Sequence, residues 1–191
     1  MSGGRPRLLL VTCSTRPSRK GTAVAAWVER EALRHSAFEV DPVDLAALAL
    51  PLLDEPHHPR LGRYEHEHTK AWSARVAAAD AVVLVFPEYN HSFPATVKNA
   101  LDYLHREWAD KAVGLVSYGG ASSGLRAAAA LKPVLTCLRM VPAVEAVSAP
   151  FFEQFLDDDG TFVPNEVLAG SVVAMLAEVA RLTALLRPSA G

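Results

Sequence analysis

The chain alternates short, uniformly apolar runs with longer segments whose apolar positions recur at helical spacing. Five apolar runs are present: Arg7–Thr12, Phe38–Leu45, Ala81–Phe86, Ala112–Ser117 and Ala143–Ser148. Three of them are apolar at consecutive positions, within Leu8–Val11, Ala81–Phe86 and Val113–Val116. Because a strand with one face in water alternates apolar and polar residues, these runs predict strands covered on both faces, as in a parallel sheet.

Segments with helical periodicity separate the runs: Thr22–His35, Tyr64–Ala79, Phe93–Trp108, Ser122–Leu138 and Pro164–Leu186. Thr22 is the predicted N-cap of the first helix, Pro133 should kink or split the fourth, and Arg187-Pro188 should end the last. This alternation predicts βαβ units and an α/β fold. Five units suit a flavodoxin-like three-layer sandwich with a five-stranded parallel sheet in the order 2-1-3-4-5, formed as a single domain over residues 1–191.

Composition narrows the class of protein. The 191 residues suit one well-buried domain, and a net charge of −2 provides no basic field for nucleic acid. No apolar run has the length that a membrane span needs, so no membrane partner is expected. Two cysteines, Cys13 and Cys137, cannot form a disulfide framework. They fit a reducing compartment, and we expect a cytoplasmic protein.

Three loops follow strands whose carboxyl ends meet at one edge of the predicted sheet, where doubly wound folds bind ligands. The first loop, Thr12–Thr22, joins a strand to a helix N-terminus, so free backbone N–H groups and the helix dipole face any anion bound there. Its side chains add donors that a phosphate needs. These are Ser14, Thr15, Arg16, Ser18, Arg19, Lys20 and Thr22. A solvated basic turn is the alternative.

The second loop, Pro87–Pro94, is stiffened by its two prolines and carries Tyr89 and Asn90. These two residues offer a stacking surface and hydrogen-bonding groups for the edge of a ring. The third loop, Ser117–Gly124, contains paired glycines, which let the backbone approach a ligand closely. Each loop alone also fits a structural role, as a core tyrosine with a helix cap or as a flexible connection. Together with the first loop they predict a site for a phosphorylated, flat cofactor.

The motifs in these loops resemble those of the NADPH-dependent FMN reductase family, which includes quinone, chromate and azo-dye reductases of flavodoxin-like fold. The resemblance runs from about Leu8 to about Leu138 and is strongest in the second loop. It rests on Ser14-Thr15-Arg16, on Pro87-Glu88-Tyr89-Asn90 with Lys98-Asn99-Ala100, and on Ser117-Tyr118-Gly119-Gly120.

The resemblance implies FMN as the bound cofactor and NADPH as the hydride donor. It also implies which residues contact FMN. These are Ser14, Arg16, Arg19 and Thr22 around the phosphate, Pro87, Glu88, Tyr89 and Asn90 along the isoalloxazine, and Ser117, Gly119 and Gly120 at the ring edge.

The same resemblance implies that hydride passes through FMN to a quinone, to a similar small acceptor or to free flavin. Because the flavin carries the chemistry, no catalytic side chain is expected. A homodimer or homotetramer is implied too, since a partner subunit commonly completes the open flavin face in this family. Two positions depart from the family pattern. Cys13 stands where a glycine commonly precedes the serine, and His91-Ser92 replaces a glycine-containing turn, which bears on the substrate preference.

Two other functions stay open. Cys13 and Arg19 have the Cys-x5-Arg spacing of low-molecular-weight phosphotyrosine phosphatases and arsenate reductases, in which a thiolate attacks a bound oxyanion. Pro17 counts against that function because it removes an N–H group from the anion-binding loop. The other is a flavodoxin-type electron carrier, against which the Arg-bearing loop and the lack of a strongly acidic composition count.

A cluster of histidines raises the question of a metal site. His57, His58, His66 and His68 lie in or just after a Pro-rich loop. The sequence places no complementary cysteine or carboxylate set beside them, so no metal is predicted.

Overall fold

The computed structural model describes residues 4–187, and its strands form one parallel sheet. The strands are β1 (Arg7–Thr12), β2 (Glu39–Asp44), β3 (Ala81–Pro87), β4 (Ala112–Tyr118), β5 (Val141–Pro142) and β6 (Val147–Ala149). Their order is β2-β1-β3-β4-β5, and β6 pairs with β4 as well. The predicted order 2-1-3-4-5 is therefore confirmed, with the last predicted strand divided in two.

Helices cover both faces of this sheet. They are α1 (Gly21–His35), α2 (Leu45–Leu48), α3 (Glu67–Ala77), α4 (Ala95–Asp102), α5 (Leu125–Cys137) and α6 (Glu166–Leu186). One apolar core joins the sheet to α3, α4 and α5, and a second core joins the opposite face to α1 and α6. Every residue of β3 and β4 is buried, as the consecutive apolar runs predict. The fold is the predicted three-layer sandwich.

Three predicted helices are clearly shorter than the periodicity indicates, and the Tyr64–Ala79 segment is helical only over Glu67–Ala77. The Phe93–Trp108 segment is helical only from Ala95 to Asp102 before a 3₁₀ turn, because Pro94 disfavours helical angles at Phe93. The Ser122–Leu138 segment becomes helical at Leu125, since Ser123 and Gly124 have positive φ values of 56° and 80°. Pro133 lies inside α5 without splitting it, which contradicts one of the two effects predicted for it.

The last predicted strand, Ala143–Ser148, is interrupted in the structure. β5 pairs Pro142 with Val113, and β6 pairs Val147 with Val116. Between these two pairs the edge strand advances five residues while β4 advances three. The extra residues of the edge strand therefore have no partner in β4. Val144 is 82% exposed as a result. Such an interruption suits an edge strand, whose outer side has no partner to keep it regular.

Helix α6 is long and has a strongly apolar sequence. Its length and a mean hydropathy of 1.6 would by themselves allow it to cross a membrane. One face of it is nevertheless buried against the sheet, through Leu168, Val172, Met175, Leu176 and Val179. It is thus the core helix that the amphipathic pattern predicts. Pro188, predicted to end it, lies outside the described residues.

Candidate functional site: a cavity at the carboxyl ends of β1, β3 and β4

The three predicted loops meet around one cavity of about 690 Å³. This volume lies within the range of sites for cofactors and other small molecules. The cavity is lined by Ser14, Arg16, Ser18, Arg19, Lys20, Gly21, Pro87, Glu88, Tyr89, Tyr118, Gly119, Gly120, Phe151, Phe152, Glu153 and Gln154. It lies where doubly wound folds bind ligands.

Helix α1 begins at the cavity with its N-terminus open. Lys20 occupies the N-cap position with φ −96° and ψ −5° and makes no capping hydrogen bond through its side chain. Among the described residues, the N–H groups of Gly21 and Thr22 have no acceptor. Thr22 is therefore not the N-cap that the sequence predicts; it is the second residue of the helix, and its side chain is exposed. Open N–H groups and the helix dipole together favour an anion here.

An aromatic wall stands beside this helix end. The ring of Tyr118 lies over Gly21 so closely that a Cβ atom there would be 1.8 Å from the phenol oxygen. Tyr118 also packs on Phe152, with 4.7 Å between the ring centroids. Burial raises the pKa of the Tyr118 phenol well above its ordinary value, so it is neutral at pH 7. Ser14 Oγ lies 2.7 Å from the hydroxyl of Tyr89.

The three cations of the first loop differ in their partners. Arg19 is ion-paired with Asp44, and Lys20 Nζ lies 3.2 Å from Glu153 Oε2. Arg16 is exposed, lines the cavity and has no ion pair among the described residues. Arg16 is therefore the cation of this loop that remains available to a bound anion.

The second loop turns sharply after Tyr89. Tyr89 and Ser92 exchange two backbone hydrogen bonds, and the residues between them, Asn90 and His91, have φ values of 49° and 67°. Two central residues with positive φ make a type I′ turn, which favours glycine. This explains why a glycine is expected where His91 stands. Asn90 and His91 face a neighbouring cavity of about 550 Å³ rather than the main one.

The third loop is held by backbone bonds to the segment after β6. Phe151 donates its N–H to Gly120 O and Phe152 donates to Gly119 O, at 3.2 and 3.3 Å. Gly119 N–H donates to Ala149 O, whereas Gly120 N–H has no acceptor among the described residues and lies at the cavity. Ser117 is fully buried below this loop, and its hydroxyl is 2.9 Å from Ser123 O.

Eight of the eleven predicted site residues line the cavity. Thr22, Asn90 and Ser117 do not: the first is exposed on α1, the second faces the neighbouring cavity and the third is buried beneath the wall. The predicted site residues omit Tyr118. The Phe151–Gln154 segment lies in the long Pro150–Thr161 connection, for which the sequence leaves open a ligand rim, a subunit interface and an ordinary surface loop, and the structure places it at the cavity. The signal for that segment was present, because Phe151 and Phe152 closely follow the last predicted strand, where the other loops also bear aromatic or polar groups.

Among the described residues that line the cavity there is no cysteine. Cys13 is fully buried, its Sγ donates to Val11 O at 3.4 Å, and burial raises the pKa of its thiol far above the ordinary value. Since the thiolate is the reactive form, this position contradicts the phosphatase-like alternative. The described part of the lining also lacks histidine. It offers donors and aromatic surface, which suit binding and orienting a ligand.

The histidines make local contacts, and carboxylates do lie beside them, contrary to the sequence-based prediction. His68 Nε2 lies 3.0 Å from Asp54 Oδ1, and His57 Nε2 lies 3.2 Å from Glu65 Oε1. His66 stacks on His68 with 5.2 Å between the ring centroids. Within residues 4–187, no three His, Cys, Asp or Glu side chains have the arrangement of a metal site.

Known proteins share both the sequence and the fold. A family model described as NADPH-dependent FMN reductase matches residues 6–154. An NAD(P)H-dependent FMN reductase of Schizosaccharomyces pombe is 40% identical over 149 residues, which cover 76% of this chain and 74% of that protein. A Saccharomyces cerevisiae protein of the same description is 34% identical over 142 residues, covering 69% of this chain and 74% of that one.

A solved structure agrees in fold. The flavoenzyme NAD(P)H:(acceptor) oxidoreductase of Paracoccus denitrificans has a TM-score of 0.75 at 19% identity, covering 94% of this chain and 98% of that one. The resemblance carried by the three loops is thereby confirmed. This chain belongs to the NADPH-dependent FMN reductase family.

Proposed function

We propose that this protein binds FMN in the cavity at the carboxyl ends of β1, β3 and β4 and transfers hydride from NAD(P)H to a quinone or a similar small acceptor. The observation that carries the proposal is the open N-terminus of α1, with Arg16 beside it and the aromatic residues Tyr89 and Tyr118 on the adjoining wall. A phosphorylated, flat ligand needs this combination.

Different groups of the chain would bind different parts of FMN. The N–H groups of Gly21 and Thr22 and the guanidinium of Arg16 would hold the phosphate. Tyr89 would lie against the flat part, with Tyr118 packed behind it against Gly21 and Phe152, and Gly120 N–H would donate a hydrogen bond at the ring edge. Ser14 would contribute its hydroxyl, which is within hydrogen-bond distance of Tyr89. Thr22, Asn90 and Ser117 are not proposed as side-chain ligands.

Bound FMN supplies the group that accepts hydride from a nicotinamide and returns it to an acceptor. A quinone takes that hydride together with one proton from solvent and becomes a hydroquinone. Because one cavity would receive the nicotinamide and the acceptor in turn, we expect ping-pong kinetics with parallel double-reciprocal lines. The chain contributes binding, orientation and the exclusion of water by the rings of Tyr118 and Phe152.

The test begins with the purified protein and FMN. We expect flavin absorbance to remain with the protein after gel filtration, and NADPH to be oxidised when a benzoquinone is added. A protein that never acquires flavin would contradict the proposal. A protein that retains flavin but does not turn over NADPH would be an electron carrier instead.

Arg16→Ala tests the phosphate end of the site. A charge-assisted hydrogen bond contributes about 1.5–3 kcal/mol, so FMN affinity should fall by roughly ten- to hundredfold. Arg34→Ala is the control, because Arg34 lies at the far end of the same helix, where it is paired with Glu31. Equal FMN affinity in the two variants would contradict the role of Arg16.

We further propose a cytoplasmic homodimer or homotetramer. The free cysteines Cys13 and Cys137 support a reducing compartment. A partner subunit would cover exposed apolar side chains such as Leu52 and Leu61, which are 83% and 56% exposed. Light scattering after gel filtration would measure the mass, and a monomer at micromolar concentration would contradict the oligomer.

A further inference from the structure

Glu88 lines the cavity, but its carboxylate is bound to another helix. The side chain is only 6% exposed. Arg126 Nε donates to Glu88 Oε1 at 2.6 Å, and a second guanidinium nitrogen of Arg126 contacts the same oxygen. The backbone N–H of Arg126 donates to Glu88 Oε2 at 3.2 Å. The carboxylate therefore forms an ion pair with the Arg126 side chain and also accepts a hydrogen bond from the Arg126 backbone.

These contacts close the N-terminus of α5. Gly124 takes the N-cap position with φ 80°, and the N-cap residue provides no capping side chain. A side chain there is excluded, since a Cβ on Gly124 would lie 2.7 Å from the Cβ of Ser117. Glu88, from a distant part of the sequence, supplies the acceptor that the first turn of α5 needs.

Helix α1 thus begins at the main cavity and α5 beside the neighbouring one, with different groups at their N-termini. The N-terminus of α5 is filled by the carboxylate of Glu88, whereas that of α1 has N–H groups without acceptors among the described residues. The Arg126 N–H group at the start of α5 is already occupied, so the open helix N–H donors that an incoming anion meets at the cavity are those of α1.

The same carboxylate fixes the second loop. Glu88 N–H donates to Tyr118 O at 3.1 Å, and the I′ turn begins at the next residue, Tyr89. Glu88 is therefore attached by its backbone to β4 and by its side chain to α5. Tyr89, which lines the cavity, follows directly from this anchored residue.

We propose that Glu88 is a positioning residue: its carboxylate, held by Arg126 and the first turn of α5, fixes Tyr89 at the cavity wall, where Tyr89 contacts the cofactor bound at the N-terminus of α1. This inference rests on the proposed binding of FMN. It assigns the Glu88 carboxylate to the protein rather than to the cofactor ring.

The pH dependence follows from the same contacts. Burial raises the pKa of Glu88, but the hydrogen bonds from Arg126 and Ser122 outweigh it and hold the pKa below the ordinary 4.5. The carboxylate is therefore charged at neutral pH. A depressed pKa stabilises the fold fully above the unfolded value, and that contribution is lost as the pH falls through the folded value.

Glu88→Gln tests the inference, with Asp102→Asn as the matched control. Asp102 is paired with Lys98 on α4, at 2.7 Å and exposed to solvent. We expect Glu88→Gln to raise the dissociation constant for FMN about tenfold at pH 7 and to alter the visible spectrum of bound flavin. Asp102→Asn should change neither. If Glu88→Gln does not fold, Arg126→Gln removes the other partner and should give the same two changes.

A readout without flavin separates this inference from the proposed function. In flavin-free protein, the Tyr89 and Arg126 amides should exchange with deuterium faster in Glu88→Gln than in Asp102→Asn. Failure of the wild-type protein to bind FMN would contradict the proposed function, and amide exchange would still test the attachment of the loop. Wild-type binding with identical FMN affinity, spectrum and exchange in both variants would overturn the role of Glu88.

Discussion

Gly21→Ala tests the close approach between α1 and Tyr118. A Cβ at this position would meet the phenol oxygen at 1.8 Å and the ring carbon that bears it at 2.6 Å. Both distances are far below van der Waals contact, and Tyr118 is only 3% exposed, so its ring has little room to move. The substitution should therefore displace the ring or the start of the helix.

The expected magnitude combines two opposing effects. Overpacking a buried site costs about 1–3 kcal/mol. The gain from placing alanine in a helix is at most about 1 kcal/mol and is smaller at the first turn. The net effect should be a loss of roughly 1–2 kcal/mol. For a domain of this length that loss lowers Tm by about 2–8 °C.

Gly170→Ala is the matched control, because it makes the same chemical change in α6. Gly170 is exposed, and a Cβ there would meet nothing within 4 Å. The Gly170→Ala protein should be more stable than the wild type by about 0.5–1 kcal/mol, because alanine has the higher helix propensity. Calorimetry of the flavin-free variants measures both shifts, and titration with FMN should show weaker binding for Gly21→Ala only. If the two variants shift Tm in the same direction and bind FMN equally, Tyr118 does not lie over Gly21.

Two further predictions follow from buried and strained residues. Iodoacetamide at pH 8 should alkylate the exposed Cys137 and leave Cys13 unmodified in the folded protein, because burial keeps the Cys13 thiol protonated. Mass spectrometry measures the modification of each cysteine. Modification of Cys13 at a rate comparable to that of Cys137 would contradict the buried position of Cys13. His91→Gly should raise Tm by about 1–3 °C, since relief of a left-handed φ of 67° outweighs the added freedom of the unfolded chain. His91→Ala keeps that strain and should not raise Tm, so an equal gain in both variants would refute the strain.

The sequence predicts the fold well because its strongest signals are local. Consecutive apolar residues in Leu8–Val11 and Ala81–Phe86 require cover on both faces, and that requirement alone indicates a parallel sheet. The loops after such strands must then meet at one edge. Eight of the eleven predicted site residues line the cavity for this reason.

The remaining features depend on contacts between distant segments or on backbone angles. Glu88 lines the cavity as predicted, but the sequence does not show that its carboxylate is bound by Arg126, which lies 38 positions away. Periodicity does not show that Ser123 has a positive φ, so the predicted start of α5 came too early. Thr22 fitted the composition of an N-cap, but Lys20 occupies that position.

The ion pair between Lys20 and Glu153 links the first loop to the segment after β6 at the cavity. Both side chains are more than half exposed, at 52% and 64%. An exposed pair contributes about 0–1 kcal/mol, which is close to thermal energy. This contact can therefore open and re-form without slowing the exchange of ligands, and physiological salt weakens it further. Retention of a cofactor in this protein must then depend on contacts inside the cavity rather than on closure of its rim.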